Sequence, residues 1–168
     1  MRKFFAGRMP EMEALAKEAL ALASNLARFL CLLHVTHTYV YSPICVYGPS
    51  MLPTLNLTGD VLLMDHISHR MGWVGPGDIV TVSSPANPQR IITKRIVGVE
   101  GDKITFLPNP SDSDRTRTLR VPKGHVWVQG DNIYASTDSR YFGPVPYGLI
   151  RGKVMLRVWP PHGFGALE

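Results

Sequence analysis

Cysteine is scarce in this chain: Cys31 and Cys45 are the two in 168 residues, and they share no metal-binding or redox spacing. A disulfide-stapled scaffold is thereby excluded, and both residues are expected as free thiols. Charge is also thin, at 18% of residues, and the excess of 18 Lys and Arg over 13 Asp and Glu is not gathered into basic runs interleaved with aromatics. No nucleic-acid partner is expected. There is no internal repeat, no Gly-x-Ser-x-Gly elbow, and no readable motif around any of the six histidines. His66 and His69 lie three apart without a Cys or Glu to complete a ligand set, so neither a metal nor a cofactor is expected. What is abundant is apolar sequence, 45% of the chain, in a length that suits one folded core and not two.

The apolar residues follow two different rules. Up to about residue 41, Leu15, Ala19, Leu22, Leu26, Phe29 and Leu33 recur at three- and four-residue spacing with no Gly after Gly7 and Pro only at Pro10, which predicts one long helix. Its apolar body, residues 19–41, has the roughly 20 residues that a bilayer crossing needs. It also carries Ser24, Asn25, Arg28, His34 and His37. An Arg near mid-span costs about 2.5–3.5 kcal/mol on insertion scales. Arg28 therefore faces a partner helix, or the helix lies in the interface with its polar stripe wet. Arg2, Lys3, Arg8 and Lys17 precede the span and no Lys or Arg follows until Arg70, so the N-terminus is expected to stay behind while the remainder is translocated. Glu11, Glu13 and Glu18 do not suit a transit peptide, and no small-residue cleavage site follows the apolar run, so the helix is expected to be kept as an anchor.

Beyond residue 41 short β-branched runs take over, at 61–65, 78–83, 90–99, 103–107, 118–121, 126–129 and 153–159. Gly, Pro and Asp punctuate them, as in Gly75-Pro76-Gly77-Asp78, Gly101-Asp102, Pro122-Lys123-Gly124 and Gly130-Asp131-Asn132. The expected fold is therefore mainly β: a membrane helix over 1–41, then a coiled sheet or small barrel over 42–168. The polar stretch 109–117 reads as an exposed hairpin loop.

Two residues in the β region are unusual. Ser50 sits in Gly48-Pro49-Ser50-Met51-Leu52-Pro53-Thr54, between two prolines that stiffen its backbone. A turn serine in a linker would look the same. Lys94 shares a strand face with Ile92 and Ile96 by the two-residue period, either snorkelling to water from an edge or buried among them. A buried lysine loses proton affinity, since burial disfavours its charged form, and a neutral amine can take the proton of a serine hydroxyl. A third segment, Ser136-Thr137-Asp138-Ser139-Arg140, is dense in donors and acceptors and carries an expected Asp138–Arg140 ion pair.

Taken in order, these segments resemble the type I signal peptidases of the serine–lysine class. Gly48-Pro49-Ser50-Met51-x-Pro53-Thr54 is similar to the family's nucleophile box and Gly77-Asp78-Ile79-Val80 to a structural strand box. Lys94-Arg95-Ile96-x-Gly98-x-x-Gly101-Asp102 is similar to the base box, and Gly130-Asp131-Asn132 through Ser136-x-Asp138-Ser139-Arg140 to the last box. Gly124-His125-Val126-Trp127 and residues 147–152 look most like the subunit 1 branch of the mitochondrial inner membrane proteases. The resemblance implies a signal-peptidase-like β domain and a Ser50 nucleophile with Lys94 as base. It also implies that Ser136 orients the lysine, that Asp138 and Arg140 are structural, and that the Ser50 N–H stabilises the oxyanion. Bacterial relatives often carry a hydroxyl residue two positions before the nucleophile. Gly48 stands there in this chain, which leaves the second oxyanion donor unassigned.

The branch further implies precursor proteins with N-terminal sorting signals as substrates, membrane lipid as surroundings, and a homologous second subunit as partner. Its address is the mitochondrial inner membrane with the catalytic domain in the intermembrane space. Three other readings stand beside it. A bacterial-type signal peptidase at another membrane shares every catalytic residue, a repressor-type autoprotease shares the dyad but would need a helix-turn-helix ahead of it, and a membrane-tethered β scaffold would need no chemistry at all.

Overall fold

The computed structural model describes residues 9–108 and 116–167, and the chain divides into two compact units between Tyr39 and Val40. The first is built on helix α1, Met9–Val35, which widens into a π-helical turn over Thr36–Val40. At 1.5 Å per residue its 27 residues span about 40 Å, more than a hydrocarbon core of about 30 Å requires. Leu15, Leu20, Leu22, Leu26, Phe29 and Leu33 are all at least half exposed. Such a helix is long and apolar enough to cross a membrane.

The second unit is mainly β, as the punctuated runs predict. Its strands are β1 (Tyr41–Tyr47), β2 (Thr58–Asp65), β3 (Ile79–Ser83), β4 (Ile91–Gly98), β5 (Lys103–Phe106), β6 (Arg117–Arg120), β7 (His125–Gln129), β8 (Val145–Pro146) and β9 (Ile150–Trp159). Seven of them form one antiparallel, curled sheet in the order β1-β2-β9-β3-β4-β7-β8, and β5 and β6 pair as a separate ribbon. The long strand β9 unites the halves, pairing β2 on one side and β3 on the other. Of the stretch 109–117 expected as a loop, residues 109–115 lie outside the described residues, and Arg117 opens β6.

Two strands of the sheet have no counterpart among the expected runs. β1 contains Pro43, whose missing N–H argues against a strand interior, but β1 is the edge of the sheet and tolerates it. β8 is two residues long, pairs with β7 and buries Val145. Inside the curl lie two apolar clusters. One gathers Val80, Val82, Ile96, Val126, Val128 and Val145, and the other gathers Met51, Leu55, Leu62, Ile79 and Val154. The second contains the residue after Ser50, so the core itself reaches the candidate nucleophile.

Candidate active site

The segment bearing Ser50 is fixed from both sides. β1 ends at Tyr47, and Gly48 turns the chain with φ of +110° and ψ of 160°, a conformation that side-chain-bearing residues rarely adopt. Glycine adopts this conformation without the strain a Cβ would bring. Pro49 then opens a single 3₁₀ turn, Pro49–Met51, and Met51 is buried in the second cluster. Ser50 is carried half-buried between a proline-locked backbone and this apolar anchor. Its N–H lies at the start of the turn, where N–H groups have no acceptor inside the helix.

β4 delivers the lysine. Its pairing with β3 sets Lys94 opposite Val80, and alternation sends Lys94 and Ile96 into the interior while Arg95 points to the other face. Lys94 is 3% exposed. Its Nζ lies 2.7 Å from Ser50 Oγ, across 44 residues of sequence. Burial is the main force on this amine and lowers its pKa to about 8, against a partial opposing pull from the Asp138 carboxylate. Of the two alternatives open in the sequence, burial is the one the fold adopts.

The segment 130–142 closes around the pair. A Cβ at Gly130 would overlap both the Ser136 hydroxyl and the Ser50 carbonyl, so only glycine lets β7's end approach the nucleophile turn this closely. Asn132 N donates to that same Ser50 carbonyl at 3.1 Å. The buried Ser136 donates its hydroxyl to Asp138 Oδ2 at 2.7 Å. Asp138 also accepts from Gly130 N at 3.0 Å and from the Arg140 guanidinium at 2.8 Å through both Nε and Nη2. Burial would raise the Asp138 pKa, but the Arg140 guanidinium and these N–H and O–H donors outweigh it and hold the carboxyl below its usual range. Arg140 reaches on to the Ile133 carbonyl, and Ser139, at the start of helix α2 (Ser139–Phe142), accepts from Val128 N. The loop is thereby tied to β7, the neighbour of the lysine strand. The Ser136 hydroxyl thus goes to Asp138 and not, as the resemblance implies, to Lys94, and of these two it is the Asp138 carboxylate that pulls on the lysine through its charge.

Other residues at the site carry no role in the sequence reading. Arg95, leaving β4 on the face opposite Lys94, makes a two-pronged bond to Asp131 at 2.9 and 2.8 Å. Thr54 Oγ1 donates to the same carboxylate at 2.6 Å. The base strand, the last box and the chain after Ser50 therefore meet at Asp131. Its position in the Gly130-Asp131-Asn132 turn is the one signal that marked it. His66 instead bridges Ser42 Oγ and the Arg151 carbonyl, and no group of three metal-ligating side chains occurs among the described residues. Cys31 and Cys45 are free and exposed.

A hydroxyl held against a desolvated amine, on a rigid antiparallel sheet, is an arrangement suited to acyl transfer through a serine. The chain belongs to the signal peptidase family, peptidase S26, whose model matches residues 19–110 and 108–159, and it is a serine endopeptidase. It is 59% identical to mitochondrial ATP-independent inner membrane protease subunit 1a of Arabidopsis thaliana, over all of both chains. Mitochondrial inner membrane protease subunit 1 of Mus musculus is 43% identical over 90% of this chain and 89% of its own. Mitochondrial inner membrane protease subunit 2 of Danio rerio is 44% identical over 73% of this chain and 67% of its own.

Proposed function

We propose that this protein is a membrane-anchored endopeptidase that removes sorting sequences from proteins delivered to the mitochondrial intermembrane space, with Ser50 as nucleophile and Lys94 as base. The 2.7 Å approach of a buried Lys94 amine to Ser50 Oγ carries the reading. The neutral amine takes the hydroxyl proton as Oγ attacks the scissile carbonyl. The Ser50 N–H donates to the developing oxyanion. The resulting Lys94 ammonium gives its proton to the leaving amine, and the neutral Lys94 amine so regenerated then takes a proton from the water that releases the acyl group. Gly48 contributes no side-chain donor. Asp138, Arg140 and Ser136 hold the loop that packs on Ser50, and no metal or cofactor takes part.

Substrate is expected to bind extended along the free edge of β1, the strand that leads into Gly48, by adding a strand to the sheet. Helix α1 supplies the anchor. Positive charge ahead of it favours a catalytic domain on the intermembrane-space side. The likeness to both subunit 1 and subunit 2 proteases supports a homologous partner subunit.

The deciding experiment uses detergent-solubilised full-length protein, co-expressed with the second subunit, and a precursor sorting sequence fused to dihydrofolate reductase. Wild type is expected to cut once. Ser50→Ala and Lys94→Met, still folded by circular dichroism, are expected to be inactive. Equal cleavage by all three would show that the cut is made without Ser50 and Lys94 and would remove the dyad.

A further inference from the structure

Beyond the dyad, the chain following the nucleophile is gripped by a residue far along the sequence. Arg157, in β9, donates through Nη2 to the Thr54 carbonyl, 103 residues away. Its Nε lies 3.6 Å from Asp60 Oδ2, with the arginine side chain 12% and the aspartate 0% exposed. Asp60 in turn accepts from both the backbone N and the side-chain Nδ2 of Asn56, each at 2.8 Å. One buried ion pair thus fixes residues 54 and 56, immediately downstream of Ser50. Thr54 is held on its other side by Asp131.

Arg157 is itself locked by the segment that follows β9. After the 3₁₀ turn Pro161–Gly163 the chain folds back, and Arg157 and Gly165 exchange both backbone hydrogen bonds, at 2.8 and 3.1 Å. A Cβ at Gly163 would stand 2.8 Å from Arg157 Nη1, so glycine there leaves the guanidinium its place. Leu167 then packs on the cluster that holds Met51 and Leu55. The segment from 160 to 167 is thus a strap tied to β9 at Arg157 and, through Leu167, to the cluster that holds Met51.

We infer that Arg157 is a positioning residue for catalysis, and that it sets the direction of Ser50 by clamping the Thr54 carbonyl, with the 160–167 strap holding the clamp. This rests on the dyad reading above. It places a determinant of turnover outside every motif of the active site. An ångström of drift in a nucleophile costs on the order of a hundredfold in rate, and the clamp lies four residues from Ser50.

The test separates positioning from mere stability by using the buried pair. Arg157→Met alone strands the Asp60 charge and is expected to lower both thermal stability and kcat. Adding Asp60→Asn removes that stranded charge but keeps only one of the two acceptors that hold Asn56, so the double variant is expected to regain part of the stability, and Asp60→Asn alone is the reference against which its kcat is read. The double variant still lacks a donor to the Thr54 carbonyl. The expected result is a kcat reduced about tenfold to a hundredfold, with KM within about twofold and the pH midpoint of kcat unmoved, because Lys94 keeps its surroundings. Full-length protein with its co-expressed second subunit and the dihydrofolate reductase fusion serve throughout, with Ser50→Ala alongside. If Ser50→Ala is inactive while the double variant matches Asp60→Asn in kcat, the clamp is structural only and the inference is overturned. If Ser50→Ala cleaves, it is the dyad reading that falls.

Discussion

At the scale of single residues, the decisive quantity is the proton affinity of Lys94. With its pKa lowered to about 8 by burial, the amine is largely protonated at pH 7 and largely free at pH 9. The rate constant for cleavage is therefore expected to rise with pH through a midpoint near 8, measured under single-turnover conditions. A rate flat from about pH 6 to 10 would exclude a lysine base. The same shift affects folding. Between the depressed native value and the ordinary lysine value the unfolded chain binds the extra proton, so stability rises with pH across that window. Below it the buried charge is a standing cost. A shift from 10.5 to about 8 corresponds to roughly 3 kcal/mol. Lys94→Met, which keeps a similar shape, is expected to be about 1–3 kcal/mol more stable than wild type at pH 7 by urea denaturation. A destabilised Lys94→Met would mean that the amine is not buried as described.

Elements show why some of this is readable in sequence and some is not. Strand period 2 put Lys94 on the face of Ile92 and Ile96, and the fold buries Lys94 and Ile96 together. Spacing alone therefore carries the orientation of Lys94. It could not say that Ser50, 44 residues earlier, would meet it, because that depends on β3 lying between β9 and β4. Resemblance to a family supplied that link. β1 was hidden by Pro43, since edge position is a property of the sheet and not of the strand. Arg157 was hidden by distance, being an ordinary basic residue of a terminal strand until the sheet brings it to Thr54. In the loop from 130 to 142 the Asp138–Arg140 pair was legible as an ion pair. Its burial was not: Arg140 and Asp138 side chains are 4% and 0% exposed. Removing one partner of so enclosed a pair strands the other, so Asp138→Ala is expected to cost about 3–5 kcal/mol. That loss should appear in denaturant unfolding together with lost cleavage. Asp138→Ala at wild-type stability would show that the loop is not held by this carboxylate.

For the whole molecule, the two rules of apolar spacing correspond to two units with separate physical tasks. Both apolar clusters, and the residues packed against them, lie at or beyond Ile44, and every strand lies beyond Val40. The leucines of helix α1 are exposed. Folding of the β unit should therefore not need the helix. The fragment 40–168 retains Val40, whose carbonyl accepts from His66 N at 2.9 Å. It is expected to melt within about 4 °C of the full chain in the same detergent, the shift that roughly 1 kcal/mol produces in a domain of this size. A soluble peptide spanning a cleavage site should be cut by both forms at similar kcat, since Ser50, Lys94 and their supports are all retained. A precursor embedded in a proteoliposome should be cut far faster by the full chain, because the helix raises the local concentration of enzyme at the surface where substrates emerge. Equal rates on embedded precursor would make the helix a targeting element alone. A fragment unable to fold would mean that the helix supports the sheet through contacts outside both clusters.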